Sequence, residues 1–563
     1  MIFRCSDKNC NYWGEAMEVP DCCPRCGKPL CAVKEETMNG DDWSALGSFW
    51  MDLGEVGEER MVECFRKAGY LGSAWGICNL GVCMEQGRGV AADIRQAVWL
   101  YEQAADLGNL NALCCLGVCM EQGRGLPKNR KKAVACYRQA AGFGSARGQM
   151  LMYRAYREGI GVEHDLGKAL FWLRSAAYQK DPDAMYRLGC CYEYGEGVER
   201  SKERAARWYE EAAKAGVLAA MTDLGYCYEK GEGRPQDFDE AVYWYQKAAA
   251  EGNPMAMNNL GWCYAKGLGV AKNAAEAIFW YRNAAEAGVT TAMINLSYCY
   301  ENGIGVPQNS EEAVRWCRQA VDRGSVAAMV NLGWCYEHGR GVAKDAALAA
   351  EYYEKGADAG DIDAMEYMAH CYVLGKGRDA DAKQAAYWAE KAAENGGSPE
   401  VMCLAGWFYS KGEGVQKDGH RAMELYEKAA SLGSAAAECF IGWQLEQEGD
   451  WEHAYAHYRK AADGGESGAF WAIGRFFEEG RFVQQDEKEA FRCYEAGESR
   501  GSLICKMRLA RCKLLGIGTR KAPKSGLQLC KAVLEEAENS ELREWYGSSE
   551  ELHLLQSLVD EQE

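Results

Sequence analysis

Apolar residues recur along this chain with the spacing of helix faces, and the helices they predict come in pairs. In the segment 255–266, Leu260 and Tyr264 are four residues apart and share one apolar face. Gly267 is expected to end this first helix, because glycine tolerates the left-handed conformation that closes a helix. A short loop then leads to a second amphipathic helix, predicted over residues 274–287.

This two-helix unit repeats along most of the chain, and three markers keep its register. A Gly-x-Gly pair in the loop recurs every 36 residues, and then one residue late, at Gly87/Gly89, Gly123/Gly125, Gly159/Gly161, Gly195/Gly197, Gly231/Gly233, Gly267/Gly269, Gly303/Gly305, Gly339/Gly341, Gly375/Gly377 and Gly412/Gly414. A pair of alanines late in the second helix follows the same period, for example Ala248-Ala249 and Ala284-Ala285. The residue six places after the first loop glycine is of a type that caps helix N-termini, at Asp93, Asn129, Asp165, Ser201, Asp237, Asn273, Asn309, Asp345, Asp381, Asp418 and Asp486.

Two-helix units at a fixed period predict an α-solenoid, because one unit cannot bury its apolar face alone and its stacked neighbours supply the core. We therefore expect an all-α fold with about 13 helix-turn-helix repeats over residues 73–537. A linker and a degenerate capping repeat are predicted over residues 35–72, and a C-terminal cap over residues 538–563.

The repeated pattern A-M-x-N-L-G-W-C-Y-E-x-G-x-G-V, followed by W-Y-x-x-A-A in the second helix, resembles the Sel-one-like repeat (SLR), a relative of the tetratricopeptide repeat. The pattern departs at Tyr153 and Ser297, which replace the first-helix glycine, and in the short unit around Gly442, which lacks Gly-x-Gly. The resemblance implies a right-handed superhelix that binds protein partners, often as an adaptor.

A stripe of large side chains directly follows the first-helix glycine, and we call it the first-helix stripe: Tyr226, Trp262, Tyr298, Trp334, His370, Trp407 and Trp443. In tetratricopeptide repeats the matching position faces the concave groove, so the resemblance implies a row of anchors for a protein or peptide partner. Glutamates three places further on would favour some positive charge in that partner: Glu85, Glu121, Glu193, Glu229, Glu301 and Glu337. The alternative interpretation is that the stripe packs against the next unit.

Two other repeated columns are interpreted as packing. Tryptophans on the second helix are expected to pack between units, at Trp172, Trp208, Trp244, Trp280, Trp316 and Trp388. Cysteines at one first-helix position are expected to be small buried residues, at Cys83, Cys119, Cys191, Cys227, Cys263, Cys299, Cys335 and Cys371. Neither column predicts a functional site.

Six cysteines fall within the first 31 residues, and they predict a metal site. The segment Cys-Pro-Arg-Cys-Gly resembles the knuckles of zinc ribbons and rubredoxins, and two such knuckles can hold one zinc ion tetrahedrally. A segment this short needs a metal to supply its folding free energy. We predict a zinc-ribbon-like module over residues 1–34 with structural Zn²⁺; a rubredoxin-like iron site and a set of unliganded cysteines are the alternatives. The predicted ligands are Cys5, Cys10, Cys23 and Cys26, with Cys22 as an alternative fourth ligand.

Charge and composition narrow the classes of function. A formal charge of −19 argues against a nucleic-acid-binding surface, although a nucleic-acid-associated regulator that uses the ribbon stays an alternative. The chain shows no secretion signal and no apolar run near the ~20 residues of a membrane helix, so its 27 cysteines favour a reducing, cytoplasmic location. The only histidines on one helix face are His453 and His457, which we interpret as a structural pair. We expect a non-catalytic interaction scaffold, of unknown oligomeric state.

Overall fold

The computed structural model describes residues 2–5, 13–15, 30–52, 57–539 and 557. It divides into two compact units, residues 1–287 and 288–563. The described residues contain 28 α-helices, which succeed one another as antiparallel pairs in each unit. The repeat-based α-solenoid is therefore confirmed, whereas the count of about 13 repeats stays a prediction.

A small antiparallel sheet opens the first unit. Its strands are β1 (Ile2–Cys5), β2 (Trp13–Glu15) and β3 (Leu30–Val33), in the order β2-β1-β3. Ile2 is buried and belongs to one apolar cluster with Met38, Trp43 and Leu46. This cluster joins the sheet to the first helices, which are α1 (Gly40–Asp52) and α2 (Glu58–Tyr70).

The other helices of the first unit alternate between first and second helices of a repeat. They are α3 (Ala74–Gln86), α4 (Ile94–Asp106), α5 (Leu110–Gln122), α6 (Arg130–Gly142), α7 (Ala146–Glu158), α8 (Leu166–Tyr178), α9 (Pro182–Tyr194), α10 (Lys202–Lys214), α11 (Leu218–Lys230), α12 (Phe238–Ala250), α13 (Pro254–Lys266) and α14 (Ala274–Glu286).

The second unit continues the same alternation. Its helices are α15 (Thr290–Asn302), α16 (Ser310–Asp322), α17 (Val326–His338), α18 (Ala346–Asp358), α19 (Ile362–Leu374), α20 (Ala382–Glu394), α21 (Pro399–Lys411), α22 (Gly419–Ser431), α23 (Ala435–Glu448), α24 (Trp451–Asp463), α25 (Ser467–Glu479), α26 (Glu487–Glu498), α27 (Leu503–Leu515) and α28 (Pro523–Asn539). Within the described part of the chain, no helix combines the length and apolarity needed to cross a membrane.

The predicted helix ends are confirmed. Gly267 closes α13 in the left-handed region with φ 77°, and its N–H donates to the carbonyl of Cys263. The Asn273 side chain then accepts hydrogen bonds from the backbone N–H groups of Ala275 and Glu276 at the start of α14. Because each cap satisfies backbone groups that a helix leaves unpaired, these residues fix the repeat boundaries locally.

The contact at the centre of most repeats is one that sequence analysis did not identify. Tyr245 on α12 is fully buried, and its ring lies so close to Gly225 on α11 that a Cβ added there would be 2.6 Å from the ring. The first-helix glycine is therefore needed for the tyrosine ring to fit. The same close pair occurs at Gly81/Tyr101, Gly117/Tyr137, Gly189/Tyr209, Gly261/Tyr281, Gly333/Tyr353, Gly406/Tyr426, Gly442/Tyr458 and Gly474/Tyr494.

Departures at the first-helix glycine are Tyr153, Ser297, Ala369 and Ala510, and the first two show how the second helix compensates. Where Tyr153 replaces glycine, the matching second-helix residue is Leu173, and both side chains are buried in one core cluster. Where Ser297 replaces glycine, the matching residue is Cys317, and the two polar atoms lie 3.0 Å apart. Larger and smaller residues thus exchange places while the repeat keeps its packing.

Successive repeats stack through the second loop glycine. A Cβ on Gly269 would lie 2.2 Å from the carbonyl oxygen of Phe238 in the preceding repeat, and one on Gly341 would lie 2.0 Å from that of Ser310. No side chain fits in this space, so glycine lets each loop rest directly on the start of the preceding second helix. The two glycines of each Gly-x-Gly pair therefore have different tasks: the first ends a helix and the second joins two repeats.

The packing predictions for the tryptophan and cysteine columns are confirmed. Trp244, Trp316 and Trp388 are buried, and Trp172 packs against the core of the first unit. All eight column cysteines are buried, with Cys263 fully so. Burial raises the pKa of these thiols, to about 12 at Cys263, which keeps them neutral and inert near pH 7.

Candidate functional site

The seven residues of the first-helix stripe all lie on first helices, as expected, and none is fully buried. In the first unit, Tyr226 and Trp262 are exposed. In the second unit, Tyr298 and His370 are exposed, whereas the tryptophans are half-buried at Trp334, Trp407 and Trp443. The side chains therefore line an accessible face in each unit, and we call it the first-helix face.

Several stripe aromatics already carry a cationic or imidazole group one turn later. The Nζ atom of Lys230 lies 5.6 Å from the ring centroid of Tyr226, and that of Lys266 lies 4.6 Å from the ring of Trp262. The ring of His338 stacks on Trp334 with centroids 4.4 Å apart. The first-helix face thus presents aromatic rings together with nitrogen donors.

The glutamates that suggested a positively charged partner have internal partners. Glu229 is only 7% exposed, and one of its carboxylate oxygens accepts a hydrogen bond from the hydroxyl of Tyr245 at 2.9 Å. Lys230 pairs with the other oxygen at 2.8 Å. The equivalent hydrogen bonds join Tyr101 to Glu85, Tyr137 to Glu121, Tyr209 to Glu193 and Tyr353 to Glu337.

Glu301 is the exception, because Cys317 stands where other repeats have tyrosine. One of its carboxylate oxygens is buried without a hydrogen-bond partner, and the other is 3.9 Å from Arg340. The glutamates of this column therefore mainly form hydrogen bonds and ion pairs within the protein. Part of the reason to expect a basic partner is thereby removed, and the basic anchor stays a prediction without that support.

The second unit contains an open cavity of about 220 Å³ on the first-helix face. Two stripe residues, Trp407 on α21 and Trp443 on α23, contribute to its wall together with Trp471 on α25. Three successive first helices thus bring three indole rings around one space. The remaining wall residues are Lys411, Cys439, Phe440, Tyr458, Gly468 and Ala472.

Trp471 is a wall residue that sequence analysis missed. It lies three places before the first-helix glycine of α25, where the two preceding repeats have Cys403 and Cys439. A tryptophan at a position where the two preceding repeats have cysteine was the available signal. The guanidinium of Arg475 lies 4.7 Å from the centroid of the Trp471 ring, within the range of a cation–π contact.

A second set of aromatics, on the second helices, was also missed. Tyr243 and Tyr387 are about half exposed, and each packs edge to face on the tryptophan that follows it. Lys391 lies above both rings of the second pair, 4.7 Å from that of Trp388. These aromatics are on helices other than those that line the cavity, and they provide matched controls for it.

The predicted metal ligands are not tested by this structure. Cys5 is the last residue of β1, where the backbone pairs with Leu30 of β3. Cys10, Cys23 and Cys26 lie outside the described residues. Among the residues that are described, no group of three or more histidines, cysteines or carboxylates could hold a metal ion.

The two histidines on α24 each have a carboxylate partner of their own. The Nδ1 atom of His453 lies 2.8 Å from Asp450, and that of His457 lies 2.5 Å from Glu438 on the preceding helix. Because the two rings are held by different carboxylates, the arrangement supports the interpretation of structural histidines.

Comparison with solved structures identifies similar solenoids. The chain is 27% identical to a protective antigen of uropathogenic Escherichia coli that has an SLR fold, with a TM-score of 0.55 over 76% of this chain and 94% of that one. It is 28% identical to a Sel1 repeat protein from Oxalobacter formigenes, with a TM-score of 0.47 over 60% of this chain and 94% of that one. No curated protein matches the sequence.

The model of the Sel1 repeat family matches twelve segments of the sequence. They are residues 76–109, 111–142, 149–181, 182–217, 218–253, 254–289, 290–325, 326–361, 362–397, 399–434, 438–466 and 470–502. These matches span most of the chain and coincide with the helix pairs described above. The chain therefore belongs to the Sel1 repeat family.

Proposed function

We propose that this protein is a non-catalytic interaction scaffold or adaptor that binds a protein or peptide at the first-helix face. Sel1 repeat proteins are helical solenoids typical of protein–protein interaction scaffolds. The observation that carries the proposal is the cavity walled by Trp407, Trp443 and Trp471. Tryptophan is enriched among the residues that dominate binding energy at interfaces, and pockets formed by such residues accept the anchors of a partner.

The size of the cavity favours a side chain over a free small molecule. Sites for drug-sized ligands and cofactors occupy roughly 300–1,000 Å³, and this one is smaller and open to solvent. An extended or helical peptide that inserts one or two apolar residues fits this volume. Further partner contacts are proposed at the other stripe residues of each unit, which are Tyr226 and Trp262 in the first unit and Tyr298, Trp334 and His370 in the second.

The remaining parts of the proposal concern the N-terminus and the compartment. We propose that Cys5, Cys10, Cys23 and Cys26 bind a structural Zn²⁺, with iron as the alternative. A cytoplasmic location is supported by the thiols, because every cysteine from Cys78 to Cys530 is free.

The test selects peptides on the intact protein. A phage-displayed library of random twelve-residue peptides is panned on the immobilised full-length chain, and binders are re-tested on Trp443→Ala. Tyr387→Ala is the matched control, because it removes an exposed aromatic from a second helix of the same unit. We expect peptides that bind the wild type and the control but lose at least tenfold in affinity on Trp443→Ala. If circular dichroism shows that Trp443→Ala is folded and every binder is retained, the cavity is not the binding site.

A further inference from the structure

The polar side chains in the wall of the tryptophan cavity are all neutral or positively charged. Lys411 contributes an ammonium group and the tryptophans contribute indole N–H groups. Burial raises the pKa of Cys439 to about 12, so its thiol is neutral. The Tyr458 hydroxyl already donates a hydrogen bond to Glu446 at 2.9 Å. The wall thus contributes hydrogen-bond donors and no carboxylate.

Two of these donors have no acceptor among the residues that the structure describes. The Nε1 atom of Trp471 is buried and has no hydrogen-bond partner in the described part of the chain. Lys411 is exposed and forms no ion pair among the described residues; its Nζ lies 4.3 Å from the ring centroid of Trp443. The Trp471 N–H is enclosed by the protein, so Lys411 is the donor that an arriving ligand group can reach.

Three acidic groups beside the wall have partners of their own, and one of them, Glu466, accepts the N–H of the wall residue Gly468 at 3.2 Å. Glu446 accepts the Tyr458 hydrogen bond and forms an ion pair with Arg475. Glu438 is paired with His457 at 2.5 Å. Lys411 is the one charged side chain in the wall itself, so an anionic ligand group would meet an ammonium that forms no ion pair among the described residues.

We propose that the cavity receives a bulky apolar side chain of a partner protein that has an aspartate or glutamate within two residues, with Lys411 as the donor to that carboxylate. The inference rests on the function proposed above and names the chemistry of its partner. It runs against the net charge of the whole chain, which is −19 and by itself would attract basic peptides.

The test uses the peptides selected on the intact protein. The strongest binder that depends on Trp443 is synthesised with its acidic residues intact, as amides, and as lysines. Each peptide is titrated by fluorescence anisotropy against wild type, Lys411→Gln and Lys391→Gln. Lys391 is the matched control, because it also lies above a tryptophan ring in the second unit but outside the cavity.

Aspartate or glutamate should be enriched beside the apolar anchor in the selected peptides. Changing these residues to amides should weaken binding to wild type about five- to tenfold, as expected for a charge-assisted contact. The same change should weaken binding to Lys411→Gln less than twofold, and it should weaken binding to Lys391→Gln as much as binding to wild type. Higher salt should reduce the difference in affinity between the acidic peptide and its amide form.

The possible failures are distinguishable. Binders that depend on Trp443 but are basic or show no charge bias would overturn the inference and leave the binding function standing. So would an unchanged affinity of the acidic peptide for Lys411→Gln. If no selected peptide depends on Trp443, the proposed function fails, and the inference fails with it.

Discussion

Replacing Gly225 by alanine tests whether the glycine–tyrosine contact stabilises the repeats that contain it. In an exposed helix this change would stabilise by up to ~1 kcal/mol, because alanine has the higher helix propensity. Here the new Cβ would lie 2.6 Å from the ring of Tyr245, which is well inside the ~3.5–4.0 Å optimum for carbon atoms. The ring is fully buried, and its hydroxyl is held by Glu229 at 2.9 Å, so it has little freedom to move.

The expected net effect combines these opposing terms. Overpacking a dense core costs roughly 1–3 kcal/mol, and displacing the tyrosine weakens a hydrogen bond to a charged group worth roughly 1.5–3 kcal/mol. After the gain in helix propensity, we expect Gly225→Ala to destabilise α11 and α12 locally by about 2 kcal/mol. Gly142→Ala is the control, because a Cβ at that helical glycine meets nothing within 4 Å, and it should be neutral or stabilising.

The assay is native-state hydrogen exchange read by mass spectrometry, which reports the free energy of local opening for peptides from each helix. It suits a repeat array, whose unfolding does not have to be two-state. The double variant Gly225→Ala/Tyr245→Leu removes the clash, so the alanine should cost nothing in the leucine background. That difference corresponds to a coupling of roughly 2 kcal/mol or more. The reasoning is wrong if Gly225→Ala slows hydrogen exchange in α11 and α12, as Gly142→Ala is expected to do in α6.

Three further predictions follow from other contacts. Gly269→Ala should destabilise the stacking of its loop on α12 by more than ~2 kcal/mol, measured by hydrogen exchange, because its Cβ would lie 2.2 Å from the Phe238 carbonyl oxygen. Gly252→Ala is the control: this glycine also has a positive φ, but a Cβ there meets open space, so the change should cost only about 1 kcal/mol. Equal effects of the two variants would contradict the stacking role of Gly269. Burial raises the pKa of Asp223 to about 6, so the stability that this residue contributes is present below its unfolded pKa near 4 and is lost as the pH rises through 6. Asp223→Asn should therefore raise the free energy of local opening at pH 7 by roughly 1–2 kcal/mol and remove this pH dependence. If the dependence of the opening free energy on pH is unchanged in Asp223→Asn, it arises from other groups. Metal analysis should find one zinc per chain that is lost in Cys23→Ser, and visible absorbance typical of ferric tetrathiolate would favour iron instead.

Helix ends could be predicted from sequence because their causes are local. Asn273 and Gly267 act on backbone groups within a few residues, so their side chains and conformational preferences suffice. The stripe could be placed on first helices for the same reason, since a fixed period keeps Trp407 and Trp443 in register. Its degree of exposure depends on neighbouring helices, which the period does not describe.

The pairings between columns could not be predicted from one repeat. Glu229 was interpreted as a groove residue because it lies three places after Tyr226, yet its partner is Tyr245, 16 residues further on in the second helix. Only the structure shows that the two columns touch. The cavity is harder still, because Trp471 comes from a third repeat across a shortened unit, and no spacing rule connects the three tryptophans.

In one repeat, Ser297 stands in place of the first-helix glycine and Cys317 in place of the buried tyrosine. The close contact between these two positions restricts the order in which the two substitutions can occur during evolution. Starting from glycine and tyrosine, enlarging the glycine first drives a new side chain into a ring that cannot move. Shrinking the tyrosine first leaves a hole, which costs stability but lets the helices keep their places. The tyrosine is therefore replaced first, which leaves a cavity, and the glycine is replaced second, which fills it. A lineage in which Cys317 arose before Ser297 would have passed through a repeat that was looser than either of its ends.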